Sequence, residues 1–241
     1  MKSMNAAEAA LCAAIHSMNE AEHDPIVQRD ACDVVRNLVN AEPLQTWFGR
    51  KCGMRCVMRA VKNHMNNAAV VTSACHAIGM LCYMNRANRR EVDLADVTQV
   101  MRTHPRSVAV QRACLAALLD ATSDLSMERA AEVLTAAAAG PPALEIMCGF
   151  TKDVPARADA CDVLVRSIRG TVVTHEFARR AAHAARLLME TAIEQPDVQV
   201  VCGDLLASTS PLVTEKRETR ETMASVLAAV REHAPHEVRQ S

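Results

Sequence analysis

At 241 residues and 26.2 kDa the chain is long enough for one elongated domain or two small ones, and half of it is hydrophobic. Only 2% is aromatic (Trp47, Phe48, Tyr83, Phe150 and Phe177) and seven residues are glycine, against 42 alanines and 13 methionines; this excludes the sandwiches, barrels and Rossmann-type sheets that need β-branched runs and glycine turns. A net charge of −1 with 23% charged residues excludes wholesale disorder and a uniformly basic chain.

The N-terminal stretch 1–24 has no apolar core of the signal-peptide kind. Its acids, Glu8, Glu20, Glu22 and Asp24, are foreign to an Arg-rich presequence. No apolar run approaches the ~20 residues that span a bilayer, so no membrane insertion is expected. A cytoplasmic, reducing location follows, and in it the ten cysteines are expected to be free and mostly buried thiols.

In chain order, residues 1–40 read as an incomplete first helical unit, followed by units at about 41–85, 86–122, 123–170 and 171–210. Gly140-Pro141-Pro142 reads as a turn inside the fourth unit. A polar-sided capping helix is expected over 211–233, with Glu215, Lys216, Arg217, Glu218 and Glu221 on one side, and a frayed tail over 234–241. The whole of 1–233 is expected to form one domain.

The units are read from a recurring cysteine. Asp30-Ala31-Cys32-Asp33-Val34 returns as Asp159-Ala160-Cys161-Asp162-Val163, with Ala74-Cys75, Ala113-Cys114 and Val201-Cys202 at similar intervals. The spacings from Cys32 through Cys75, Cys114, Cys161 and Cys202 are 43, 39, 47 and 41 residues, the size of HEAT or armadillo units. Apolar residues at helical spacing follow each cysteine: Val35 and Leu38, Ile78 and Leu81, Leu164 and Ile168. Pro25, Pro105, Pro155 and Pro196 precede four of these helices, where proline loses only an N–H that would be unpaired anyway. A preceding helix repeats as well, Val57–His64 paralleling Val97–His104.

His104–Leu119 (HPRSVAVQRACLAALL) resembles the third helix of an armadillo repeat, and 27–39 (VQRDACDVVRNLV) and 70–82 (VVTSACHAIGMLC) are similar to it. The resemblance implies an all-α, right-handed α-α superhelix, an armadillo-like solenoid of about five repeats, with the cysteine-bearing helices lining a concave groove. Peptide-binding members of that family clamp an extended backbone with an asparagine ladder flanked by tryptophans. Here Asn37 alone stands at the matching place. Five residues after the other cysteines stand Met80, Leu119, Arg166 and Ala207, and Trp47 has no companions. The groove surface expected from helical spacing is Asp33, Asn37, His76, Met80, Tyr83, Asp162, Arg166 and Arg169, with Tyr83 and Arg166 favoured by residue type.

Catalytic and cofactor chemistry find no footing. Cys52, Cys56, His64, Cys75, His76 and Cys82 share a unit, but no second CxxC-type pair supports a tetrahedral zinc site, and core thiols are the better reading. His175-Glu176 and His236-Glu237 look like the iron-binding pairs of deoxyhypusine hydroxylase, a HEAT-repeat enzyme, yet they fall out of register with the repeat. Nucleophile elbows and phosphate-cradling glycine loops are missing. Neither a catalytic residue, a cofactor nor a metal is therefore expected.

Charge is uneven along the chain. Residues 49–112 carry eleven Lys/Arg against three Asp/Glu; Arg55, Arg59 and Lys62 belong to this block, which is expected either to be a solvated helix face or to attract an acidic segment of a protein partner. Scarce aromatics argue against nucleic acid. The function expected is a non-catalytic protein-interaction scaffold or adaptor. The alternatives are a structural subunit of a larger assembly, with Met54, Met58, Met65, Met80 and Met84 as adaptable contacts, and behind it a repeat-based enzyme or RNA binder.

Overall fold

The computed structural model describes residues 5–83, 85–169 and 173–210; the expected capping helix over 211–233 and the tail over 234–241 lie outside the described residues. Thirteen helices and no strand occur among those residues. The chain divides into two compact units, Met1–Leu125 and Ser126–Ser241.

The first unit holds α1 (Ala6–Glu20), α2 (Pro25–Leu38), α3 (Glu42–Arg50), α4 (Gly53–Asn63), α5 (Ala68–Cys82), α6 (Arg86–Arg89), α7 (Leu94–Thr103) and α8 (Val108–Thr122). Helices three apart in this order stack: α2 on α5 on α8, α1 on α4 on α7, and α3 on α6. The second unit holds α9 (Met127–Ala136), α10 (Gly140–Gly149), α11 (Val154–Ile168), α12 (His175–Thr191) and α13 (Pro196–Thr209). There α11 packs on α13 and α10 on α12.

Local chemistry explains where the helices start. Asp24, Asn67, Ser107 and Asp153 cap α2, α5, α8 and α11, each side chain accepting from backbone N–H groups of the first turn; such caps are worth about 1 kcal/mol each. Asn5 and Glu8 close a reciprocal capping box on α1.

The turn into each capped helix is held by a side-chain clamp. The last carbonyls of a helix have no partner within it. Gln28 Nε2, four residues after its cap, donates to Met18 O and Ala21 O, both at 2.9 Å. Gln111 does the same to Met101 O and His104 O at 2.7 and 2.9 Å. Gln199 does it to Met189 O and Ala192 O at 2.9 and 3.0 Å. At the equivalent place Arg157 Nε donates to Met147 O at 3.1 Å, and Val71 makes the remaining member apolar. In each polar case the first carbonyl lies ten residues upstream and belongs to a methionine.

The clamps put the true register at residues 28, 71, 111, 157 and 199, four past the caps. The cysteine ladder read from sequence is therefore one residue out of step at two rungs. Cys32, Cys75 and Cys161 stand four residues past the clamp, but Cys114 and Cys202 stand three past it. Either place faces the core, so all five thiols are fully buried. The slip also moves the expected groove ladder: the counterparts of Asn37 and Met80 on α8 and α13 are Asp120 and Ser208, not Leu119 and Ala207.

Three smaller expectations change. Gly140-Pro141-Pro142 forms the first turn of α10, with proline where a missing N–H costs nothing; the reversal is made just before it by Ala138, whose φ is 54°. Pro105 lies two residues ahead of the Ser107 cap and not in the first turn of α8. Met54 and Met58 are core residues, not surface contacts, and Met84 is outside the described residues. The core contains one deeply buried aromatic ring, Phe48, lying against Gly53: a Cβ built there would fall 2.2 Å from the ring.

Candidate interaction surface

In the first unit, α2, α5 and α8 stack side by side, so residues at the same step past each clamp lie abreast. Five past the clamp are Asp33, His76 and Ala116. Nine past it are Asn37, Met80 and Asp120. All are half-buried except Asn37, which is exposed. Gly79 lets α8 come close to α5: a Cβ on it would sit 3.1 Å from Asp120 Oδ2. Tyr83, just past the end of α5, is 56% exposed, one of the few large apolar side chains so presented.

Two polar atoms on this surface are buried without a hydrogen-bond partner, Asp33 Oδ1 and His76 Nδ1. Arg36 Nη2 stands 3.5 Å from Asp33 Oδ1, in ion-pair range. Burial of His76, and then Arg36, push its pKa below the ordinary 6.5, with Arg112 on α8 acting the same way and Asp33 opposing them. A buried unsatisfied polar atom costs about 1–3 kcal/mol. Two of them abreast on neighbouring helices make a place where an incoming donor and acceptor recover that cost.

In the second unit, α11 and α13 carry Asp162 and Asp204 at the same step. Arg166 forks onto Asp162, Nε to Oδ1 at 3.0 Å and Nη2 to Oδ2 at 2.9 Å. Arg169 is exposed at the end of α11. Arg166 is thus engaged within its own helix, and Asp162 is its partner.

The basic residues singled out in sequence lie on α4 and are tied to neighbouring helices. Arg55 pairs with Glu91 at 3.9 Å, Arg59 with Glu22 at 3.8 Å and with the Asn19 amide oxygen, and Lys62 with Asp96 at 3.1 Å and Asp93 at 3.8 Å. Arg86 and Arg89 share Asp124. Exposed pairs of this kind contribute at most about 1 kcal/mol each, but they set five of the block's eleven basic side chains against acids from other segments. His64 and His104 add a second inter-helix tie, each Nε2 lying 2.9 and 2.8 Å from the carbonyls of Glu22 and Met65.

Sequence reasoning missed Arg36, Arg112 and Asp120, which complete the α2–α5–α8 surface. The signal that finds them is the row of Asp24, Asn67 and Ser107 caps, from which the step can be counted without the cysteines. As for metals, no three His, Cys, Asp or Glu side chains converge among the described residues. Cys52 is exposed at the head of α4, Cys56 points to the Asn19 amide, Cys82 is buried, and Cys75 pairs with Cys114. Glu176 is held by Arg179, and the companion pair His236-Glu237 is outside the described residues.

No protein-family model, curated protein or solved structure matches this chain. The class that the fold and its repeated clamps define is an all-helical protein whose helices pack against their neighbours in a helical-repeat manner. No helix among the described residues is long and apolar enough to cross a membrane.

Proposed function

We propose that the chain is an armadillo-like repeat protein that binds another protein without catalysis, acting as a scaffold or adaptor in a reducing, cytoplasmic setting. The observation that carries this reading is the α2–α5–α8 surface, where His76 Nδ1 and Asp33 Oδ1, the latter ion-paired with Arg36, lie buried without a hydrogen bond near Met80 and the exposed Tyr83. Stacked helices hold such a surface rigid, so little ordering cost is paid on binding. Asp120 in place of an asparagine at the matching step on α8 speaks against the extended-peptide ladder of the importin type. A folded partner, or a helix laid across the three, suits the mixed charges better. The basic block over 49–112 is a weaker candidate for an acidic segment, because Arg55, Arg59 and Lys62 already have acidic partners.

Affinity purification of the tagged protein tests the reading. Copurification that survives physiological salt and is lost on Asp33→Ala with His76→Ala supports it. Copurification unaffected by that pair but lost on Arg55→Glu, Arg59→Glu and Lys62→Glu moves the site to α4. Recovery of nothing overturns the scaffold reading. The second reading, a subunit of a larger assembly, is favoured by the exposed Leu187, Ile193 and Val200 of the second unit, at 43%, 60% and 61% exposure; it is tested by the size of the complex in which the chain migrates.

A further inference from the structure

The stacking of α5 on α8 brings two thiols into contact. Cys75 stands four residues past its clamp position and Cys114 three. Their sulfurs lie 3.6 Å apart, hydrogen-bonded to each other, and both residues are fully buried. The helices are close at this level. Gly79, one turn after Cys75 on the same face, meets α8 without a side chain: a Cβ built on it would lie 3.8 Å from the backbone of Ala116 and Ala117. As packing, a buried thiol does what another small apolar side chain does; what it adds is redox chemistry. A disulfide holds its two sulfurs at about 2 Å, so this pair has to close by roughly 1.5 Å, with no atom inserted between them. The bond joins residues 39 apart in sequence, at the level of His76 and Ala116 on the α2–α5–α8 surface.

We propose that Cys75 and Cys114 are a site of reversible oxidation by hydrogen peroxide, closing a disulfide that locks α5 to α8. One sulfur, as thiolate, attacks a peroxide oxygen. The O–O bond breaks, an S–O bond forms, and the hydroxide released takes up the thiol's proton as water. The second sulfur then attacks the sulfenic sulfur: the S–S bond forms, the S–O bond breaks, and the displaced hydroxide leaves with the second thiol's proton as water. Two thiols and one peroxide give one disulfide and two waters; the sulfurs lose two electrons and the peroxide oxygens gain them. Two thiols of the glutathione class reverse the step by exchange and leave as their own disulfide. Burial, and then the hydrogen bond to Cys75, hold the Cys114 thiol well above its usual range, so the closed stack resists oxidation. The reaction runs through local separation of α5 from α8 and is slower than that of the exposed Cys52 and Cys148. Once formed, the bond restricts the unfolded chain across the loop it closes, so the oxidised first unit withstands more denaturant than the reduced one.

The test uses the full chain with the less buried Cys12, Cys52 and Cys148 replaced by serine. The folded chain is treated with hydrogen peroxide in small molar excess, alkylated, and digested with trypsin without reductant. The expected product joins the peptide of residues 63–86 to that of residues 113–129. It disappears on treatment with dithiothreitol, which leaves any methionine sulfoxide in place. Because the first peptide also holds Cys82, the link is expected to survive Cys82→Ala and to vanish in Cys75→Ala and in Cys114→Ala. The urea midpoint of the first unit, followed by far-UV circular dichroism, rises on oxidation and returns on reduction; this measurement needs none of the alanine variants to fold. The proposal is overturned if the folded chain yields no such link, if the link forms only after urea has unfolded the chain, if it persists in Cys75→Ala, or if the urea midpoint does not rise on oxidation.

Discussion

Replacing Gln111 by alanine or by methionine tests whether the clamps hold the helical units together. Gln111 is 1% exposed and donates to Met101 O and His104 O at 2.7 and 2.9 Å. Both carbonyls belong to the end of α7 and have no intrahelical partner. Losing two buried hydrogen bonds costs about 1 kcal/mol each, and leaving Met101 O dry adds to that, whereas His104 O keeps the Ser107 N–H. Against this, Gln111 Oε1 is itself buried without a partner, and its removal returns about 1 kcal/mol. Alanine also forfeits side-chain packing of about 1 kcal/mol. The net expectation is a loss of about 2–3 kcal/mol for Gln111→Ala. For Gln111→Met, which keeps the volume, it is about 1–2 kcal/mol. Urea unfolding followed by far-UV circular dichroism measures both, fitted per transition because the chain has two compact units. Hydrogen exchange localises the effect: the Ser107 amide, bonded to His104 O at 3.1 Å, loses protection. A Gln111→Met variant as stable as the parent refutes the clamp as a source of stability.

Gly53→Ala forces a Cβ to within 2.2 Å of the buried Phe48 ring, and is expected to lower the urea midpoint of the first unit by an amount equivalent to at least about 2 kcal/mol. Ala138→Gly relieves a left-handed alanine at φ 54°; the strain of about 1–2 kcal/mol exceeds the entropy added to the unfolded chain, so the second unit gains about 0.5 kcal/mol, and a lower midpoint contradicts this. His76 has a folded pKa below 6.5, so the unfolded chain binds more protons as pH falls through that value, and stability is complete above it and declines below it. Measured between pH 7.5 and 5, values chosen about one unit or more on either side of an ordinary histidine, that decline shrinks in His76→Asn; an unchanged slope sinks the assignment.

The all-helical class was legible because it follows from composition and 3.6-residue periodicity. Ala, Val, Leu and Cys at core spacing make the same helix face whatever the exact step. That tolerance is also why the step was misread. A small thiol packs equally well three or four residues past the clamp, so Cys114 and Cys202 pass for counterparts of Cys75 and Cys161 while sitting one place early. Polar caps are stricter markers, since a side-chain oxygen reaches only the N–H groups of the first turn. The clamp itself could not be found by pattern alone, because Val71 and Arg157 interrupt the run of glutamines. The basic block illustrates a different limit: Arg55, Arg59 and Lys62 look free in sequence because Glu22, Glu91 and Asp96 come from other helices. The surface on α2, α5 and α8 was half visible. Asp33, Asn37, His76, Met80 and Tyr83 follow from helical spacing, whereas Arg36, Arg112 and Asp120 emerge only when helices are laid abreast.

The central claim is that the α2–α5–α8 surface of the first unit holds a protein partner. A photo-crosslinking amino acid placed at Met80 or Tyr83, with a control at the exposed Gln99 on α7, tests it in the cell of origin. The account predicts one discrete protein adduct from positions 80 and 83, absent from position 99 and abolished by Asp33→Ala with His76→Ala. Adducts from none of the three positions, or equal adducts from all of them, contradict it.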